Sequence, residues 1–192
     1  VTKSREPIRE TAELKPLSNY AKMKMESELA LMGAVKKSDS TPIIMRVAPV
    51  YKVDYTQNMR EKVYDSKDDV GFVYGDGSYG FCFCCVYNLV EFINAIISGP
   101  QGHYDGEYNV CDTRLTLAKE IVDIERANHR LGVVLQRGGG AEALKAAIGV
   151  NAKKAKCDYR HVDLSTLTNN TCYDNTKAKR FSTFRWTLSN TK

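Results

Sequence analysis

The chain has 192 residues, of which 43% are hydrophobic and 27% are charged. This balance is typical of a globular protein with a sizeable core, and it argues against bulk disorder. The length favours one domain, or one domain with a small appendage.

The net charge of +5 is concentrated near the end of the chain. Residues 151–192 carry nine Lys or Arg and three Asp, whereas residues 1–150 carry nineteen basic and twenty acidic residues. A basic tail can bind nucleic acid or an acidic partner, but a solvated helix face is the commoner cause. Because no nucleic-acid-binding motif accompanies the tail, the sequence does not indicate a nucleic-acid partner.

Six cysteines would allow three disulfides, but four of them lie in apolar, strand-like runs and no secretory signal opens the chain. We therefore expect reduced thiols in an intracellular compartment, either the cytoplasm or an organelle matrix. Cys82 and Cys85 form a CxxC pair, yet no second pair stands at a distance suited to zinc, so no metal site is expected. The apolar run 81–97 is short for a membrane span and contains Asn88 and Glu91, which favours a strand followed by a helix.

The N-terminal third contains a helix signal followed by a strand signal. Ser18 is a candidate helix cap, and the apolar residues after it recur at helical spacing, which predicts a helix over about 19–37. Residues 41–50 are apolar and rich in β-branched side chains, so a buried strand is predicted. Residues 52–69 are charged and poorly periodic, which indicates a loop with a helical turn.

The middle of the chain alternates strand and helix signals. The Gly-Asp-Gly-Ser turn at 75–78 separates two β-prone runs and can supply positive φ values. A helix is predicted from Asn88 to about Ile97, a strand over 106–112, and a further helix capped by Thr116. This alternation indicates the α/β class.

A glycine run, Gly138 to Gly140, precedes a predicted helix over 141–156. We interpret the run as a flexible connector, because a phosphate-binding loop requires a preceding strand and a different glycine spacing.

The segment SNYAKMK places a tyrosine and a lysine, Tyr20 and Lys24, four residues apart on the first predicted helix. Side chains at i and i+4 share a helix face. A phenol, whose ordinary pKa is about 10, exchanges protons at neutral pH only if a nearby positive charge stabilises the phenolate. The spacing alone is not specific, because Tyr173 and Lys177 repeat it, and a chance match remains open at this point.

The surrounding motifs are more specific because they occur in a characteristic order. Together they resemble the extended short-chain dehydrogenases, the NAD-dependent epimerase/dehydratase family, over about residues 7–187. The matching segments are PIRETAELKPLSNYAKMKMESELAL with its Ser-x-Tyr-x-x-x-Lys, IIMRVAPVY, VYGDGS, VYNLVEFINAI, GEYNVCDTRLTLAKEIVDI and YDNTKAKRFSTFRW.

The resemblance implies the C-terminal part of a Rossmann-type parallel sheet with a small α/β substrate domain. Residues 1–50 would be the remainder of the Rossmann-like domain, including the Tyr-x-x-x-Lys helix. Residues 51–192 would be a substrate-binding region interleaved with a returning strand and helix of the Rossmann domain.

The resemblance also implies an NAD- or NADP-dependent epimerase, dehydratase or reductase acting on a sugar or another hydroxyl or keto substrate. Tyr20 would be the catalytic acid/base, and Lys24 would stabilise its phenolate and hold the nicotinamide ribose. The backbone of Ala48, Pro49 and Val50 would lie near the nicotinamide, with Arg46 in a structural role. Tyr173 and Lys177 would belong to the terminal segment and not to a catalytic helix.

The sequence departs from the family pattern in the region that binds the cofactor. Family members begin with a strand, a glycine-rich turn and a helix that bind the dinucleotide pyrophosphate, and we identify no such unit here. The first residue corresponds to a point past the middle of the Rossmann half, and Thr2 and Ser4 are too close to Tyr20 to supply the third catalytic residue. Whether the nucleotide-binding half is missing from the sequence or from the protein stays open.

The sequence also departs from the family pattern at positions that bind the substrate. Phe81 stands where the family has an arginine that binds a nucleotide-sugar diphosphate, and Asn88 replaces the aspartate that begins the next helix. Lys52 replaces a glycine, although a lysine there could still contact phosphate. These changes indicate a smaller or more apolar substrate, or a member that has given up catalysis. The alternative function is therefore a noncatalytic scaffold or accessory subunit of a larger assembly, for example a mitochondrial one. Because family members often dimerise through the catalytic helix, a homodimer is one option.

Overall fold

The computed structural model of the chain describes residues 6–16, 18–36, 38–66, 69–100, 103–137 and 172–185. Its α-helices are α1 (Asn19–Val35), α2 (Gln57–Arg60), α3 (Val86–Ser98) and α4 (Ala118–Ala127), and a 3₁₀ helix spans Ala178–Arg180. The strands are β1 (Ile43–Val47), β2 (Val50–Tyr51), β3 (Tyr64–Asp65), β4 (Val70–Tyr74), β5 (Gly80–Phe81), β6 (Cys84–Cys85), β7 (Gly106–Val110), β8 (Thr116–Leu117) and β9 (Val134–Arg137).

The longest pairing is parallel and joins β1 to β7, with Ile43 opposite Gly106 and Val47 opposite Val110. Two further parallel pairs join β2 to β6 and β4 to β9, while β3 with β4 and β5 with β8 are antiparallel. Parallel neighbours need long crossover connections, and α3 lies within the connection from β1 to β7. The chain is therefore a mixed α/β protein, as its alternating sequence pattern predicts.

Two apolar clusters form the core. One cluster includes Tyr51, Met59, Phe83 and Ile121. The other includes Phe92, Tyr108, Val110 and Phe184, with the Phe92 ring centroid 5.4 Å from that of Tyr108 and 5.6 Å from that of Phe184. Through these contacts α3 and the C-terminal segment hold β7, and β7 in turn positions β1.

Several predicted elements are confirmed with small changes in their limits. The first helix ends at Val35, the helix predicted from Asn88 begins at Val86, and the strand predicted over 106–112 ends at Val110. Gly75 and Gly77 adopt φ values of 55° and 71°, as the turn requires. The predicted helical turn within 52–69 is α2, and the strand β3 was not predicted.

Two predictions are wrong. The strand predicted as buried, β1, has no buried residue between Ile43 and Val47, because in the described residues it pairs on one edge only and leaves Met45 and Val47 37% exposed. Thr116 does not cap α4. It lies buried in β8 opposite Phe81, and Leu117 occupies the cap position instead.

The start of α4 is stabilised by other groups. The Leu117 N–H donates to the Glu120 carboxylate at 2.8 Å, and the N–H groups of Ala118 and Lys119 donate to the carbonyls of Tyr79 and Gly77. These contacts satisfy the free N–H groups of the first turn, which is the task that a threonine cap would otherwise perform.

Some predictions fall outside the described residues, namely the glycine run 138–140, the helix over 141–156, and the positions of Cys157, Thr2 and Ser4. The division into 1–50 and 51–192 stays a prediction. Cys82, Cys84, Cys85 and Cys111 are buried free thiols, and Cys172 is a free, half-buried one. None of the helices in the described residues combines the length and apolar character needed to cross a bilayer.

Candidate functional site

The start of α1 is defined by a side-chain cap. Ser18 has extended backbone angles, and its Oγ accepts a 3.0 Å hydrogen bond from the N–H of Ala21. Such a bond satisfies one of the free N–H groups at a helix start, and so the helix begins at Asn19. Tyr20 and Lys24 consequently occupy its first two turns.

An ion pair fastens α1 to β1. Arg46 of β1 donates from Nε to the Glu28 carboxylate of α1 at 3.3 Å, and its Nη2 contacts the other carboxylate oxygen. Its Nη1 also donates to the carbonyl of Glu10 at 2.6 Å. Both side chains are largely buried, so this pair is less screened by solvent than a surface pair. The structure thus gives Arg46 the structural role that the resemblance implies.

A third segment, residues 8–10, is anchored over β7 by Asn109. The Asn109 N–H donates to the Glu10 carboxylate, and its side-chain amide donates to the carbonyls of Ile8 and Asp174, at 2.9 to 3.1 Å. Sequence analysis assigned Asn109 only to a strand. Its side chain joins two chain segments that are distant in sequence, and the sequence contains no local signal for that contact.

These three elements enclose a cleft of about 660 Å³. The cleft is lined by α1, by β1 and the residues after it, by residues 8–16, and by Tyr173. Four of the five residues that the resemblance implicates line it, namely Tyr20, Lys24, Ala48 and Pro49. Val50 does not line the cleft; it pairs with Cys84, and its carbonyl accepts a hydrogen bond from Asn58.

The polar ends of Tyr20 and Lys24 are uncommitted within the described part of the chain. The Tyr20 side chain is 69% exposed, and no hydrogen bond or ion pair joins its hydroxyl or the Lys24 ammonium to a described residue. By contrast, the N–H of Ala48 and the carbonyl of Pro49 are already hydrogen-bonded to Val110 and Cys84. The phenol and the ammonium are therefore the free polar groups that these four residues present to a ligand.

The second Tyr-x-x-x-Lys has a different geometry. Tyr173 pairs with Ile8 in an isolated bridge, and Lys177 lies in the turn before the 3₁₀ helix. The Lys177 ammonium donates to the carbonyls of Asp105 and Glu107 at 2.8 and 3.1 Å and lies 4.2 Å from the centroid of the Tyr108 ring. This lysine stabilises the start of β7, which confirms that the second motif lies in the terminal segment and not on a helix.

The positions that differ from the family pattern are engaged in internal contacts. The Phe81 ring lies 5.6 Å from that of Tyr79 and 6.2 Å from that of Phe83, in a row of aromatic side chains. The Lys52 ammonium is paired with the carboxylate of Asp54 at 2.9 Å.

Asn88 belongs to a buried polar network that sequence analysis did not identify. Its Nδ2 donates to Oδ1 of Asp112 at 2.7 Å and to the carbonyl of Arg185 at 2.7 Å. Asp112 also accepts from the Tyr51 hydroxyl at 2.6 Å and from the Cys85 N–H at 3.0 Å. Burial raises the pKa of Asp112 above its ordinary value, although the three hydrogen bonds lower it in part.

A pattern of three glycines lies in the turn after β4. The residues GDGSYG, from Gly75 to Gly80, have the formal GxGxxG spacing. They lead from β4 into β5, whereas a dinucleotide-binding turn leads from a strand directly into a helix whose N-terminus binds the pyrophosphate. This turn is therefore not of the dinucleotide-binding type.

The described residues also contain no group of three or more His, Cys, Asp or Glu side chains arranged to hold a metal ion.

The fold is similar to that of about half of several solved NAD-dependent sugar epimerases and dehydratases. UDP-glucuronic acid 4-epimerase from Bacillus cereus, solved with UDP-glucuronic acid and NAD, superposes with a TM-score of 0.62 at 15% sequence identity, covering 97% of this chain and 54% of that one. UDP-glucose 4-epimerase from Thermus thermophilus, in complex with NAD, gives a TM-score of 0.58 at 15% identity, with 91% and 51% covered. dTDP-glucose 4,6-dehydratase from Bacillus anthracis, in complex with NAD, gives 0.56 at 14% identity, with 92% and 50% covered.

The likeness is one of fold, because no family model and no curated protein sequence matches the chain. The chain spans about half the length of these enzymes. The comparisons give no support to the accessory-subunit alternative, since these similar structures are described as epimerases and a dehydratase.

Proposed function

We propose that the chain carries the residues that transfer the substrate's proton in an NAD(P)-dependent oxidoreductase of the epimerase, dehydratase or reductase type. The substrate would be a sugar or another small molecule with a hydroxyl or keto group. The observation that carries the proposal is that Tyr20 and Lys24 line one cleft beside Ala48 and Pro49, with no other described partner for the phenol or the ammonium.

Each residue has a distinct task in this proposal. The phenol of Tyr20 accepts the proton of the substrate hydroxyl, or returns it to the carbonyl, in the manner of a general acid/base. The ammonium of Lys24, one helical turn away, stabilises the phenolate and hydrogen-bonds the ribose of the cofactor. The nicotinamide, when bound, accepts or returns the hydride. Ala48 and Pro49 would form the wall beside its ring, with Val50 next to them in the chain.

The cleft is suited to the nicotinamide end of the dinucleotide. Its volume lies in the range of small-molecule sites, and it combines apolar walls with a few free polar groups. No strand–glycine turn–helix unit for the pyrophosphate stands among the described residues, so the adenosine end of NAD or NADP would be bound by other parts of the protein.

Two contacts favour a substrate without a nucleoside diphosphate. The side chain at position 81 is an aromatic ring held between two others, and the Lys52 ammonium is paired with Asp54. Neither offers the free guanidinium that suits a diphosphate. A small or partly apolar hydroxyl or keto compound is therefore the substrate class that we favour.

The proposal is tested by titrating the protein with NADH and with NADPH, followed by turnover assays on nucleotide sugars and on small hydroxy ketones. We expect Lys24→Met to weaken cofactor binding, because the ribose contact and the positive charge are lost. Tyr20→Phe should retain binding but reduce turnover by about 10²–10⁴-fold, the usual contribution of a general acid/base.

Matched controls are available on α1 and α3. Lys22→Met removes an exposed ammonium of α1 that does not line the cleft, and Tyr87→Phe removes an exposed hydroxyl of α3. Both should leave binding and turnover unchanged. If neither nucleotide binds, or if Tyr20→Phe turns over substrate at the unaltered rate, the proposed function is wrong.

A further inference from the structure

A second phenol, that of Tyr173, belongs to the same cleft and has no task in the proposed reaction. Tyr173 lines the cleft that Tyr20 and Lys24 also line. It lies in residues 172–174, which are distant in sequence from α1. The cleft therefore contains two tyrosines, and each belongs to a Tyr-x-x-x-Lys motif.

The pairing with Ile8 directs the Tyr173 side chain toward the cleft. The Ile8 N–H donates to the Cys172 carbonyl, and the Ile8 carbonyl accepts from the Asp174 N–H, both at 2.9 Å. Ile8 and Tyr173 are thus direct partners in a parallel bridge, and paired residues project their side chains to the same face. Because Ile8 and Tyr173 both line the cleft, that face is the one that borders it.

The backbone that carries the Tyr173 ring is held by side chains from other segments. The Asn109 amide donates to the Asp174 carbonyl at 3.1 Å, and the Cys111 thiol donates to the Tyr173 carbonyl at 3.7 Å. The buried Asn175 side chain donates to the Cys111 carbonyl at 2.6 Å. A side chain on a backbone held in this way is preorganised, which reduces the entropy that it loses when a ligand binds.

The Tyr173 hydroxyl is available to a ligand. The residue is 36% exposed, and within the part of the chain that the structure describes no hydrogen bond joins its hydroxyl to another residue. A tyrosine combines a large apolar ring with a polar group that can both donate and accept a hydrogen bond. Tyr173 therefore offers the cleft a hydrogen-bonding group in addition to the Tyr20 phenol and the Lys24 ammonium.

The two phenols differ in their charged surroundings. Burial raises the pKa of Tyr173 above its ordinary value of about 10. The lysine of its own motif, Lys177, does not favour its phenolate, because that ammonium donates to two carbonyls at the start of β7. Tyr20, by contrast, lies one helical turn from Lys24, whose ammonium has no such partner among the described residues. Tyr173 thus stays a neutral hydroxyl and is not suited to proton transfer.

We propose that Tyr173 is a substrate-binding residue, whose hydroxyl hydrogen-bonds a second oxygen of the substrate while Tyr20 exchanges a proton with the first. This inference rests on the proposed function and narrows its substrate class to small diols and hydroxy ketones. A compound without the second oxygen displaces water from the Tyr173 hydroxyl and does not replace the lost hydrogen bond. Tyr173 therefore determines which compounds bind and takes no part in the chemical step.

The first test compares two ketones that differ by one hydroxyl, 2-hydroxycyclohexanone and cyclohexanone, in turnover assays with NADH and NADPH. We expect Tyr173→Phe to raise the KM for 2-hydroxycyclohexanone by about 2–10-fold, the effect of losing one neutral hydrogen bond, and to leave kcat unchanged. Its KM for cyclohexanone should stay at the wild-type value. Tyr20→Phe should show the opposite pattern, with a lower kcat for both ketones.

The second test measures binding without cofactor or turnover. Protein labelled with carbon-13 in its tyrosine rings is titrated with hydroxyacetone, 2-hydroxycyclohexanone and xylose, and followed by NMR. The Tyr173 ring signal, assigned by its absence in Tyr173→Phe, should shift on binding, and the variant should bind about 2–10-fold more weakly. Tyr55→Phe removes an exposed hydroxyl outside the cleft and should bind as the wild type does.

The outcomes separate this inference from the proposed function. If neither NADH nor NADPH binds, the proposed function is wrong, and the NMR titration still decides whether the Tyr173 hydroxyl binds these compounds. If the cofactor binds and Tyr20→Phe slows turnover while Tyr173→Phe behaves as the wild type, the proposed function stands and the inference is wrong. The inference is also overturned if none of the three compounds binds, or if Tyr173→Phe weakens binding of both ketones equally.

Discussion

The side-chain amide of Asn88 donates a 2.7 Å hydrogen bond to Asp112, so a single carboxylate lies at the junction of β6, α3 and the end of β7. Both residues are 4% exposed. In the family that this sequence resembles, an aspartate stands at the position of Asn88, at the start of the helix. The amide at this position is therefore the form that is compatible with a buried aspartate opposite it.

The first prediction concerns this pair. Asn88→Asp would place two carboxylates in contact inside the protein and remove a donor from Asp112, which we expect to lower the free energy of unfolding by about 3 kcal/mol. The loss should be smaller at low pH, where one carboxyl takes up a proton. Urea unfolding at several pH values measures this loss of unfolding free energy. Asn94→Asp, at an exposed position of the same helix, is the matched control.

The exchange of the two residues gives a sharper result. The double variant Asn88→Asp with Asp112→Asn again has one carboxylate and one amide in contact, so it should recover much of the lost stability. Residues in direct contact are expected to be non-additive in this way. A double variant that is as unstable as the sum of the two single variants would contradict the arrangement.

The second prediction concerns pH dependence. Because burial raises the pKa of Asp112 in the folded state, the folded protein holds this proton more tightly than the unfolded chain does. The stability from the bound proton is fully present below pH of about 3.9, the unfolded value, and is lost as the pH rises through the raised folded-state pKa. Asp112→Asn should therefore show a smaller fall in unfolding free energy over this window than the wild type does.

The comparison needs only urea unfolding curves collected from about pH 4 upward. Asp123→Asn, at an exposed position of α4, serves as the control that alters charge without altering the network. An unchanged slope in Asp112→Asn would contradict the prediction.

The third prediction concerns the attachment of α1. Arg46→Met keeps the aliphatic stem but leaves the largely buried Glu28 carboxylate without its partner, and we expect a cost of about 1.5–3 kcal/mol. Arg114→Met breaks a more exposed pair with Glu120 and should cost less than about 1 kcal/mol. Because Arg46 positions the helix that carries Tyr20, its variant should also weaken NADH binding, and the Arg114 variant should not. Equal losses of stability in both would be contrary to expectation.

The fourth prediction uses two glycines of one turn. Both Gly75 and Gly77 have positive φ, so alanine at either position costs about 1–2 kcal/mol in backbone strain. A Cβ at Gly77 would also lie 3.1 Å from the backbone nitrogen of Lys119, whereas a Cβ at Gly75 meets no atom within 4 Å. Gly77→Ala should therefore be the more destabilising variant in thermal unfolding, by a further ~1–3 kcal/mol. Similar melting temperatures for the two variants would argue against this close approach.

The elements of the fold that depend on local rules are readable in the sequence. Ser18 and the helical spacing after it predict α1, and the glycines at 75 and 77 predict a turn with positive φ. The cap predicted at Thr116 is wrong because other groups accept the hydrogen bonds of the free N–H groups at the start of α4. These acceptors are the carbonyls of Gly77 and Tyr79 and the carboxylate of Glu120, while Thr116 itself lies in β8 and pairs with Phe81 of β5.

In the candidate site, too, local contacts are predictable from the sequence and contacts between distant segments are not. The sequence by itself determined that Tyr20 and Lys24 lie on one helical turn, because that relationship depends only on the 3.6-residue period and a nearby cap. Only the tertiary structure decided that Ile8 meets Tyr173, that Asn88 meets Asp112, and that the Cys111 thiol reaches the carbonyl of Tyr173. Contacts of this kind depend on strand order and register, which arise from packing of the whole chain and have no signature in any short segment of it.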